Sequence, residues 1–171
     1  MSKKHLIIGC GGAGISAIEN MEPGVQFDKL AIGSSPERIS STSIANKIYI
    51  DRESIVDITK HQEIKSELEG PLHSAAILYD KIFIILGLGG ETGSFLYKIL
   101  PSLLPKYTTY AFIPFKFESE RLKKAQTILS ELANQEAIKI ELSTEENNIS
   151  LLDYFDTRYK YIYKSIVNIC L

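Results

Sequence analysis

Short apolar runs recur along the chain, each followed by a glycine-rich or polar loop and then by residues at helical spacing. His5-Leu6-Ile7-Ile8 is the first run and reads as a central parallel strand. Ile15, Ala17, Ile18 and Met21 then fall on one helix face, and Pro23-Gly24 stops that helix. Lys29 to Ile32 reads as the second strand and Lys47 to Ile50 as a third, near an edge. Residues 51–70 are polar, with Ile55, Ile58, Ile64 and Leu68 spaced apart. A helix fits their second part, Gly70-Pro71 breaks it, and Leu72 to Tyr79 resumes it. Lys81 to Leu86 is the most apolar strand, and the helical stretch Phe95 to Leu104 after it is ended by Pro101 and Pro105. Tyr110 to Ile113 is the next strand. Leu122, Ala125, Ile128, Leu129 and Leu132 mark the following helix, whose Glu120, Arg121, Lys123 and Lys124 form a solvated face. Ala137 to Leu142 alternates like a less buried strand, and a polar turn spans Ser143 to Asn148. The last segment, Ile149 to Leu171, is a long helix. Leu152, Phe155, Tyr159, Ile162, Ile166 and Ile169 form one stripe, and Tyr154, Tyr161, Tyr163 and Val167 lie on other faces. A helix apolar nearly all round requires burial on more than one side.

Strands and helices that alternate in this way predict an α/β fold: a three-layer, Rossmann-like parallel sheet of about six strands with helices on both faces. Residues 1–171 are enough for one domain with a sizeable core. A net charge of −2 gives no general attraction to nucleic acid or to anionic membranes, so neither is expected as a partner. The tyrosines of the last helix have no basic groove beside them and read as packing residues. No apolar run has transmembrane length and no secretory leader is visible. With two cysteines, Cys10 and Cys170, this reads as a cytoplasmic protein with reduced thiols. His61 and His73 lack companions at metal-ligand spacing and read as surface or helix-packing residues, so no metal ligand is assigned.

The chemistry lies in two glycine loops. Ile82 to Leu86 empties into Gly87-Leu88-Gly89-Gly90-Glu91-Thr92-Gly93-Ser94. A buried strand that ends in glycines and then starts a helix suits an anion. The backbone turns tightly, its N–H groups approach the ligand, and the helix adds its positive end. Thr92 and Ser94 can add hydroxyls. The first strand likewise ends in Gly9-Cys10-Gly11-Gly12-Ala13-Gly14. Gly9, Gly11 and Gly14 match the dinucleotide-binding spacing, but the second strand leads to Gly33-Ser34-Ser35 with no acid for a ribose. An NADP-dependent oxidoreductase is the reading left by that loop alone. Cys10 stands at a helix start, where a thiol pKa falls, yet it has no His or Asp companion and reads as packing. No catalytic residue is assigned.

The two loops together resemble the tubulin/FtsZ superfamily. Ile7 to Gly14, with a helix ending Glu19-Asn20-Met21, is similar to the family's first nucleotide loop, and Gly87 to Ser94 to its G-G-G-T-G-[ST]-G signature. Pro114-Phe115-Lys116-Phe117-Glu118 with Arg121 and Ala125 resembles the FtsZ stretch P-F-x-F-E-G-x-x-R-x-x-x-A, one residue shorter. Ile149-Ser150-Leu151-Leu152-Asp153-x-Phe155 resembles the start of the FtsZ central helix. The resemblance implies GTP or GDP at the carboxyl edge of the sheet. It places phosphates on Gly11, Gly12, Ala13, Gly89, Gly90, Thr92, Gly93 and Ser94, within loops that include Gly9, Gly14 and Gly87. Glu118 and Arg121 would lie near ribose and phosphates, and Phe155 would stack on the base.

The departures are specific. Glu91 and Phe95 replace glycines of the signature, and a carboxylate in a phosphate cradle must turn outward or meet Mg²⁺. Ser16 replaces an Asn, and Gly33 and Ser35 replace an Asn and an Asp. The third, γ-phosphate-sensing loop is not recognisable in residues 51–70. Tyr159-Lys160 falls where the guanine-reading Asn-Asp pair belongs, and Lys cannot accept the guanine N–H groups, while Asp156 lies one turn earlier. The chain is expected to lack the catalytic acidic loop and the second domain. The expectation is therefore a divergent, truncated FtsZ-like domain with weak or absent GTPase activity and weak or no nucleotide binding, which acts as a homo-oligomer or on a full-length FtsZ-like partner, in a cytoskeletal or cell-division role. The alternative is an active GTP-binding switch or GTPase completed in trans.

Overall fold

The computed structural model describes residues 4–21, 27–143 and 149–171. The helix stop expected at residues 23–24 and turn residues 144–148 lie outside them. Six strands form one parallel sheet: β1 (His5–Cys10), β2 (Phe27–Gly33), β3 (Asn46–Tyr49), β4 (Lys81–Gly87), β5 (Thr108–Ile113) and β6 (Ile138–Glu141). Their order across the sheet is β3-β2-β1-β4-β5-β6. The apolar runs β1 and β4 lie side by side at the centre, with Ile8 opposite Ile84 and Cys10 opposite Leu86. The polar, alternating β3 and β6 take the edges, where one side needs no strand partner.

Two cores lie on opposite faces of the sheet. Leu6, Ile8 and Cys10 of β1 pack with α3 (Arg52–Val56), α4 (His61–Leu78), α5 (Glu91–Ile99) and α6 (Ser119–Glu131). Ile7 of β1, Phe83 and Ile85 of β4, and Tyr110 and Phe112 of β5 pack with α1 (Gly11–Glu19) and α7 (Leu151–Cys170). Alternate residues of each strand thus feed alternate layers, which is the three-layer arrangement expected of the pattern. The remaining helix, α2 (Pro36–Ser41), is short and capped by Ser35, whose hydroxyl accepts the Arg38 N–H at 3.2 Å.

Three of the helices read from the sequence differ in the structure, and α2 and α3 were not read at all. Gly70-Pro71 does not break α4, which runs unbroken from His61 to Leu78. Ile64, Leu68, Leu72 and Ala75 all point into the core while Gly70 and Pro71 face water, so packing of the continuous stripe outweighs the lost hydrogen bond of Pro71. The helix expected from Phe95 starts earlier, at Glu91, and ends at Ile99 in a short 3₁₀ turn over Leu100–Ser102. In α7 only Tyr154, Ile162 and Ile166 are buried. Leu152 is 79 % exposed, and the helix is covered on one side only. Tyr110 Oη and Ser165 Oγ, 2.7 Å apart, tie α7 to the sheet.

Candidate functional site

β1 and β4 are neighbours, yet β2 and β3 follow β1 on one side while β5 and β6 follow β4 on the other. The chain leaves the sheet in opposite directions at this point, and that opens a crevice at the carboxyl ends of the strands. Both glycine loops lie there. Gly11, at φ 67°, turns the chain from β1 straight into α1. Gly89, at φ 86°, does the same between β4 and α5. These left-handed conformations favour glycine over any residue with a Cβ.

The other glycines divide into two kinds. A Cβ on Gly14 would collide with the Ile85 carbonyl oxygen, one on Gly93 with that of Gly87, and one on Gly9 would lie 2.6 Å from the Gly14 oxygen. Absent side chains there let α1 and α5 sit directly on the strands. At Gly12 and Gly90 an added Cβ would meet nothing within 4 Å, so these positions open onto free space. That space is a cleft of about 870 Å³, within the range of small-molecule sites. Gly11, Gly12, Ala13, Gly87, Gly89, Gly90, Thr92 and Gly93 line it, together with Glu118 and Arg121. The first turns of α1 and α5 face it, and N–H groups of a first helical turn have no acceptor within the helix.

Four expected site residues lie elsewhere. Gly9 and Gly14 sit behind the cleft, in the α1–strand packing. Ser94 is buried, and its hydroxyl accepts the Gly89 N–H at 3.0 Å. Phe155 lies in an aromatic cluster, 6.3 Å from Phe115 and stacked on Tyr159 at 6.1 Å between centroids, away from the cleft lining. Cys10 is fully buried, and burial pushes its thiol pKa up, the opposite of the lowering that a helix N-terminus would give. It lines the cleft as a packing residue, not as a thiolate.

The polar groups of the cleft are already partly tied to one another. Thr92 Oγ1 and Ser34 Oγ are 2.5 Å apart and join the β2 and β4 ends. Glu118 accepts the Phe115 N–H at 3.1 Å and Arg121 Nη1 at 3.2 Å. Glu91 turns to Arg52, which donates to it from Nε at 2.7 Å and from Nη2 at 3.2 Å, and this holds the Glu91 carboxyl below its ordinary pKa. Lys124 adds a further cation to the lining. Phe112, Pro114 and Leu142 give it an apolar end. Ser16 belongs to another network, in which Arg38 donates to Ser16 Oγ at 3.1 Å and to Glu19 at 2.6 Å. Lys160 pairs with Asp156 at 2.8 Å, and half-buried Tyr159 packs on Phe112.

Ser34 and Arg52 were not singled out by sequence reasoning, and Lys124, read there as part of a solvated face, lines the cleft. Ser34 had a findable signal, since it directly follows a strand end beside the cleft. Arg52 had none, because its partner Glu91 lies 39 positions away.

No protein-family model and no curated protein matches the sequence. Solved structures do match. A mutant FtsZ of M. jannaschii aligns at a TM-score of 0.74 with 21 % identity, covering 99 % of this chain and 56 % of that one. TubZ of Clostridium botulinum phage c-st aligns at 0.67 with 13 % identity, over 96 % and 58 %. TubZ of bacteriophage PhiKZ aligns at 0.63 with 16 % identity, over 97 % and 62 %. The chain thus spans less than two thirds of the length of the structures it matches.

Proposed function

We propose that this chain, whose fold is tubulin/FtsZ-like, is a divergent guanine-nucleotide-binding domain that works in the cytoplasm by associating with copies of itself or with an FtsZ-like partner. The observation that supports it is the meeting of two glycine loops at one crevice. Gly11 and Gly89 are in left-handed conformations, and Gly12 and Gly90 leave open the space that side chains would fill. A phosphate chain fits such a cradle, which offers backbone N–H groups and two helix starts. Arg121 and Lys124 are cations on its rim. Phe112, Pro114 and Leu142 offer the apolar surface that a base requires, and they take the part that the resemblance assigned to Phe155. The reading includes binding of GTP or GDP, with Mg²⁺ as the phosphates' counter-ion.

Association is supported by apolar side chains left in water. Phe117 is 70 % exposed while stacked on Phe115, and Leu151 and Leu152 project from the start of α7. One of the matching structures is an FtsZ dimer of M. jannaschii. Calorimetry of GTP, GDP and ATP with nucleotide-stripped protein tests the binding function. Guanine binding in the micromolar range is expected. Absence of heat with all three would reject it.

A further inference from the structure

The cleft carries an anion of the protein's own. Glu91 is the first residue of α5, directly after Gly89-Gly90, and its carboxylate lies where a helix start favours negative charge. Arg52, the first residue of α3, holds it with two hydrogen bonds. Both residues line the cleft.

The strand order sets the parts of the cleft in a row. Phe112 and Pro114 at the end of β5, and Leu142 after β6, form one end. The glycine loops of β1 and β4 form the middle. Arg52, in the segment that follows β3, stands at the other end with Glu91 turned toward it. A nucleotide with its base on the apolar end and its first phosphates on the glycines runs toward Arg52–Glu91. A third phosphate then meets a guanidinium already engaged along one edge, and a carboxylate of like charge.

Resting on the nucleotide reading above, we infer that Glu91 is a specificity residue that makes this a site for nucleoside diphosphates and disfavours triphosphates. Repulsion between like charges in a half-exposed site is strong enough for a preference of about tenfold. Removing the carboxylate while keeping its shape abolishes the preference. Removing Arg52 leaves the carboxylate without its hydrogen-bonded cation and increases it.

The test is calorimetric titration of GDP and GTP, without Mg²⁺ so that no cation bridges carboxylate and phosphate, into stripped wild-type chain, Glu91→Gln and Arg52→Gln, with circular dichroism to show that each variant is folded. The wild type is expected to bind GDP about tenfold more tightly than GTP. In Glu91→Gln the GTP affinity rises to that of GDP, while GDP binding stays within about twofold. In Arg52→Gln the gap widens. A merely structural role would move both nucleotides together. Equal affinities in the wild type, or an unchanged ratio in Glu91→Gln, overturn the specificity role and leave the nucleotide reading standing. No binding of either nucleotide to any of the three proteins overturns both.

Discussion

Ser94 accepts the N–H of Gly89, five residues before it, in a buried hydrogen bond of 3.0 Å. The bond runs from the first turn of α5 back across Gly90 and fixes the left-handed turn that opens the cleft. Ser94→Ala leaves that N–H without its partner, and a buried unpaired donor costs about 1–3 kcal/mol. Thermal unfolding of Ser94→Ala is expected to shift down by several degrees. The same variant loosens the turn, so its nucleotide affinity is expected to fall even though the side chain is not part of the cleft lining.

Pro71 sits inside α4 on its exposed face. It deprives the Glu67 carbonyl of an N–H partner, and no core contact depends on the ring. Pro71→Ala restores the helical bond, and relief of an internal helix proline is expected to stabilise the fold by about 1–2 kcal/mol. Urea denaturation should show a higher midpoint with an unchanged slope.

The same helix shows where sequence pattern is sufficient and where it fails. Six strands and the two glycine loops could be read because central parallel strands are continuous apolar runs, and β1 and β4 are such runs. Gly70-Pro71 misled because it is a local signal, whereas the stripe Ile64, Leu68, Leu72 and Ala75 acts through tertiary packing. The short helices α2 and α3 bury at most one side chain, Ile55, so they carry no hydrophobic period to detect. In the cleft, the glycines that face space and those that pack on strands are indistinguishable by spacing. Only the neighbours of their missing Cβ atoms separate Gly12 from Gly14. The pairing of Glu91 with Arg52 joins residues 39 positions apart, and no local pattern marks that pair.

Glu19 links α1 to α2 through Arg38 and Thr42. The hydrogen bond from Arg38, helped by that from Thr42, holds its carboxyl down at about 2. An unfolded glutamate titrates near 4.3, so the folded state binds the proton less readily. The contribution is therefore complete above that unfolded value and lost as pH falls from about 4.5 to 2. With allowance for the part of the side chain in contact with water, it amounts to about 2 kcal/mol. Denaturation midpoints measured from about pH 6 down to about pH 2.5 should fall steeply for the wild type. For Arg38→Gln they should start lower and fall less. Parallel acid limbs in the two proteins would show that Glu19 does not carry this dependence.

Gly12 and Gly14, two positions apart in one helix, are expected to respond in opposite ways to the same substitution. Gly14→Ala drives a methyl into the Ile85 carbonyl oxygen, which is backbone of the central strand and cannot move aside. Forced separation of α1 from β4 is expected to cost more than about 3 kcal/mol and to prevent stable folding. Gly12→Ala meets open space, in a helical conformation without positive φ. Alanine there lowers the entropy of the unfolded chain and is expected to leave stability unchanged or to raise it by about 0.5–1 kcal/mol. Its methyl, however, projects into the cleft that Gly89 and Gly90 also line, and is expected to keep a phosphate from the backbone N–H groups. Nucleotide affinity is then expected to drop by about tenfold or more in a protein that melts no lower than the wild type. A Gly12→Ala variant that binds as tightly as the wild type would show that the ligand does not approach this loop.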